Sequence, residues 1–172
     1  MISNRGSLSQ IEFLIKKHRG RHILLDANIL LLYVVGLHDP KRIAKFKRTS
    51  DYDPDDFKAL STLLTNFIGI VTTPNILTEV SNYCGNLEST VRVNGFETMR
   101  TVILGAKERR YESRLICQDT GFIRLELTDT TILRAAKRGD LVLTGDLPLH
   151  TELQRRSCPS INFNHIRHLE WS

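Results

Sequence analysis

The cysteines of this chain have neither the spacing of a zinc site nor that of a disulfide framework. The 172 residues hold three cysteines, Cys84, Cys117 and Cys158. They are odd in number and far apart, so they read as reduced core thiols of a cytoplasmic protein. The histidines His18, His22, His38, His150, His165 and His168 show no Cys/His ligand spacing and read as surface or packed residues. No apolar run approaches the length of a membrane span, and the first twenty residues lack the apolar centre of a secretion signal. GxGxxG, GKT and GxSxG are absent, which leaves dinucleotide, nucleoside-triphosphate and serine-hydrolase chemistry without support. There is no internal repeat, low-complexity tract or linker, so residues 1–172 read as one domain with residues 1–20 as a helical extension.

What is present is ordinary globular material with a basic excess. Hydrophobic residues make up 41% and charged residues 25%; 24 Lys and Arg against 19 acids leave a net charge of +5. That excess favours a polyanionic partner without specifying one.

His22–Leu32, HILLDANILLL, organises the rest. Ile23-Leu24-Leu25 reads as a short buried strand, and Ile29, Leu32 and Tyr33 recur at helical spacing behind it. Asp26 lies at the junction. Ahead of this motif, Ser7 and Gln10 have capping-box spacing for a helix over 7–20 that ends at Gly20. After it comes KRIAKFKR, with Lys41, Arg42, Lys45, Lys47 and Arg48 around Phe46: either a solvated helix face or a phosphate-contacting arm. Asp53-Pro54-Asp55-Asp56 starts a helix whose period runs to Gly69. Ile70–Thr73 makes a strand, and Thr73-Pro74 opens a helix carrying Glu79.

Residues 86–119 are hard to read, beyond a helical pattern near Phe96–Ala106 and a second basic face that includes Arg109 and Arg110. Phe122–Leu127 alternates weakly like a strand, Thr128-Asp129 begins a helix ending at Gly139, and Leu141–Thr144 is a strand. Gly145-Asp146 follows at its end, Leu147-Pro148 starts another helix, and Ile161–Phe163 could close the sheet. Alternating strands and helices argue for a three-layer α/β/α sandwich around a parallel sheet. Right-handed crossovers bring Asp26, Asp129 and Asp146 to one edge, with Glu79 within reach. Independent helix capping explains each Asp separately. Clustered carboxylates instead suggest a hard divalent cation, Mg²⁺ or Mn²⁺.

LLDANILL, TPNILTEV, LTDTTILRAA and LVLTGD, in this order, resemble the PIN-domain ribonuclease family over nearly all of residues 20–165. The resemblance implies a central sheet of about five parallel strands. It implies Asp26, Glu79, Asp129 and Asp146 as catalytic metal ligands, and Asn28 and Thr144 as supporting polar residues. The expected activity is Mg²⁺- or Mn²⁺-dependent endoribonuclease hydrolysis by a metal-activated water. Expected partners are RNA, with DNA as an alternative, an antitoxin or other protein if the chain is a toxin, and a second copy in a homodimer. Two other classes compete. One is a non-catalytic nucleic-acid-binding module on the same fold. The other is a haloacid-dehalogenase-type phosphatase, disfavoured because Asn28 stands where a second Asp is needed.

Overall fold

A computed structural model describes residues 3–85 and 89–167. His168 lies outside the described residues. The elements in chain order are α1 (Ser3–His18), β1 (His22–Leu25), α2 (Ala27–His38), a 3₁₀ turn (Pro40–Lys45), α3 (Pro54–Leu64), β2 (Gly69–Thr72), α4 (Pro74–Gly85) and α5 (Ser89–Gly105). They continue with β3 (Lys107–Glu108), α6 (Ser113–Ile116), α7 (Phe122–Ala136), β4 (Leu141–Thr144), α8 (Leu147–Arg155), β5 (Ser160–Asn162) and a closing 3₁₀ turn (Phe163–His165).

All five strands run parallel in the order β3-β2-β1-β4-β5. The chain builds outward from β1 to β3, then returns to place β4 on the other side of β1. That reversal opens the crevice in which open α/β sheets hold ligands, beyond the carboxyl ends of β1 and β4. The result is a three-layer α/β/α sandwich with a parallel five-stranded centre.

Burial explains the central strands. Ile23, Leu24 and Leu25 of β1 and Leu141, Val142 and Leu143 of β4 are wholly buried, as strands covered on both faces must be. α2 is apolar nearly all round because α3, α4 and α5 enclose it. Gly36 lets α3 close on it: a Cβ there would lie 2.1 Å from the Phe57 ring. α3 begins at a complete capping box, with Asp53 accepting from the Asp56 N–H and Asp56 accepting from the Asp53 N–H, both at 2.9 Å. Buried Asp56 also takes Arg167 through two side-chain bonds, at 2.8 and 2.5 Å, tying the last described turn to the start of α3.

Three expectations need correction. α1 begins at Ser3, so Ser7 lies inside the helix rather than capping it. α3 ends at Leu64, short of Gly69. Residues 122–127 are not a strand; they form the first part of α7, which breaks at Glu126 (φ 62, ψ −174) before continuing through Asp129. The break expected near Thr128 is therefore real, but helix lies on both sides of it. The third strand is instead Lys107-Glu108, two exposed charged residues at the sheet edge, a composition that discourages further pairing.

Candidate functional site at the carboxyl edge

The site grows from two adjacent strand ends. Asp26, in extended conformation after β1, caps α2 by accepting from the Ile29 N–H at 2.7 Å through Oδ1. Its Oδ2 accepts from the Gly145 N–H at 2.9 Å and from the Thr144 hydroxyl. Thr144 Oγ1 in turn accepts from the Asp146 N–H at 2.9 Å, and Asp146 caps α8 by accepting from the Leu149 N–H at 2.6 Å. One continuous hydrogen-bond chain thus fastens the caps of two helices across the β1/β4 boundary. Asp26 is 3% exposed, and both its oxygens face protein donors. Burial raises its pKa, and the bonds from Thr144, Ile29 and Gly145 oppose that shift.

Tyr52 and Gly145 complete the wall. A Cβ on Gly145 would lie 2.4 Å from the Tyr52 hydroxyl oxygen, so glycine is required for this approach. Burial, reinforced by the charge of Asp26, pushes the Tyr52 phenol up to about 12. Asp129 and Glu79 lie nearby, outside the hydrogen-bond chain. Burial pushes Asp129 up to about 7, and the charges of Asp146, Asp26, Glu79 and Glu126 add to the shift. Asp129 therefore lies within electrostatic reach of Asp26, Glu79 and Asp146.

They do not form a metal centre. Among the described residues no group of three or more His, Cys, Asp or Glu side chains is arranged to hold a metal ion. For the two capping acids a physical reason lies in the directions of their oxygens. A magnesium ion needs near-octahedral oxygens at about 2.0–2.1 Å from one point. Asp26 turns its oxygens to α2, Thr144 and Gly145, and Asp146 turns Oδ1 into the first turn of α8. This overturns the expected Mg²⁺ or Mn²⁺ cofactor and the four-carboxylate, metal-activated endoribonuclease hydrolysis. The toxin assignment rested on that activity and falls with it.

The remaining expected residues divide clearly. Thr144 is fully buried inside the chain of bonds, whereas Asn28 is exposed and has no side-chain bond to the acids. Arg109 is bound to Asp140 at 2.7 Å and Arg110 to Glu108 at 2.7 Å, so neither offers a free charge. Lys41, Lys45 and Lys47 are exposed, with no carboxylate in ion-pair reach among the described residues. Arg42 pairs with Asp39 at 3.5 Å, and Arg48 lies over the Tyr83 ring, 4.6 Å from its centroid.

Sequence reasoning missed Tyr52 and Glu126. Tyr52 directly precedes the capping Asp53, a signal for the helix start but not for the tyrosine. Glu126 gave no sign of its left-handed conformation. In comparisons with known proteins, no family model, curated protein or solved structure matches the chain. The α/β/α sandwich is compatible with the PIN superfamily without being distinctive for it. Among the described residues, no helix is long and apolar enough to cross a membrane.

Proposed function

We propose that this protein is a non-catalytic nucleic-acid-binding module that holds single-stranded RNA through the basic arm at residues 41–48. One observation carries the reading: the arm's cations are exposed while its backbone is anchored. Ile43 and Thr49 are fully buried, and the Thr49 hydroxyl donates to the Ile43 carbonyl at 2.7 Å. Phe46 packs against the core. Lys41, Lys45 and Lys47 are thus presented on an ordered support, which lowers the conformational cost of meeting a phosphate backbone.

Charge accounting supports the same reading. Many other arginines are occupied in holding acids: Arg167 on Asp56, Arg109 on Asp140, and Arg124, Arg155 and Arg156 on buried Glu152. The arm's lysines are left for an external anion. Two of the acids at the sheet edge, Asp26 and Asp146, already serve the protein as helix caps. With Arg48 covering Tyr83, the arm offers phosphate contacts rather than an open aromatic platform, a pattern that binds without strong sequence preference.

The test is the salt dependence of RNA affinity. Replacing Lys41, Lys45 and Lys47 together with Gln is expected to weaken binding by about ten- to a hundredfold and to flatten the log–log salt slope by about 2 for single strands. An unchanged slope would place the interface elsewhere.

A further inference from the structure

The opposite, amino edge of the sheet carries a cavity of about 670 Å³, a size suited to a small organic ligand. Its walls are the last turns of α1 with Lys17 and His18, Arg21 ahead of β1, Gly139 ahead of β4, and the Ser157–Ser160 approach to β5. We infer that this cavity is a binding pocket for a small organic phosphate, held by Lys17, Arg21 and the buried ring of His18.

Two independent features support it. First, Lys17 and Arg21 are exposed with no carboxylate in ion-pair reach among the described residues; the lysine lies only over the Phe13 ring, at 5.9 Å. Second, His18 is 3% exposed and its Nε2 has no hydrogen-bond partner. Buried polar atoms are nearly always satisfied, so an unpartnered ring nitrogen just beneath a cavity wall marks a place that a ligand atom could meet after a small shift of the ring.

The ligand's charge follows from the surroundings. Burial and the charges of Arg21 and Lys17 together hold the His18 pKa down, with Asp140 alone opposing them. That acid is already engaged by Arg109. An anion would relieve the crowding of positive charge and give Nε2–H an acceptor at once. A guanidinium, an ammonium and an imidazole together suit the several oxygens of a phosphate monoester, and Leu14, Cys158 and Pro159 offer apolar wall to its carbon portion. The inference is independent of RNA binding at the arm.

The test titrates the full chain with adenosine 5′-monophosphate, adenosine and inorganic phosphate, by calorimetry and by NMR of the His18 ring. Saturable binding of the monophosphate, none of adenosine, and an upward shift of the His18 titration on binding are expected. Lys17→Gln and Arg21→Gln, each checked for folding by circular dichroism, should each weaken the monophosphate about tenfold. Lys45→Gln on the arm should leave it unchanged. Equal potency of inorganic phosphate would overturn the organic assignment in favour of the free ion. Equal affinity in all three variants, or no saturation by the monophosphate, would overturn the pocket.

Discussion

The two edges of the sheet treat charge in opposite ways. At the carboxyl edge Asp26 and Asp146 are consumed by the protein's own backbone, and Asp129 sits close to neutrality. At the amino edge Lys17, Arg21 and His18 surround a cavity with little internal compensation. The contrast teaches that a cluster of like charges is not by itself a ligand site. What matters is whether the polar atoms still point at empty space, and those of Asp26 do not.

The sharpest way to break the comparison is at Asp26. Asp26→Ala removes the α2 cap and strands the Gly145 N–H and the Thr144 hydroxyl. A loss of about 3 kcal/mol in urea unfolding is expected. Retained stability would mean that the carboxylate is free for other work.

Next comes Asp129. Its folded-state pKa of about 7 lies above the unfolded value, so between roughly pH 4 and 7 the native state holds more protons than the unfolded state. Its contribution therefore stabilises at low pH and is lost as pH rises through about 7. Asp129→Asn should stabilise the protein by about 1–2 kcal/mol at pH 8, after allowing for solvent screening, and by little at pH 4. Thermal unfolding across that range checks the sign.

A smaller effect concerns the wall between the caps. Gly145→Ala should cost about 1–2 kcal/mol by pushing on the Tyr52 hydroxyl, and Tyr52→Phe should recover part of that cost in the double variant. Purely additive losses would show that the close approach does not matter.

The smallest effect belongs to the amino edge. Arg21→Gln should change stability by less than about 0.5 kcal/mol, since no internal partner is lost. The His18 titration should nevertheless move upward, because one of the charges that depresses it is gone. An unmoved titration would remove Arg21 from the cavity's field.

Much of the fold was legible because the central strands announce themselves. β1 and β4 are unbroken apolar runs, and each ends in an Asp at a helix start. The edge strand β3 was not legible: it is two charged residues held by backbone pairing, which leaves no hydrophobic signature. Residues 122–127 misled through alternation. Leu125 is in the core while Ile123 is almost fully exposed, so the apparent strand face is not buried as a face. At the site, sequence order placed Asp26 and Asp146 just beyond two strand ends, where the structure links them through Thr144 and Gly145. It did not show where each oxygen points, and hydrogen bonds from Ile29, Thr144 and Gly145 decide that point. The plain capping explanation of Asp26 and Asp146 matches the observed bonds, and the metal explanation does not.

The most direct test of the whole account is a gel of end-labelled single-stranded RNA incubated with the protein in the presence and absence of Mg²⁺ and Mn²⁺. The account predicts a retarded, full-length band with either ion, lost at high salt and in the Lys41, Lys45 and Lys47 triple variant. RNA cut by the wild type but left whole by Asp146→Asn would contradict it.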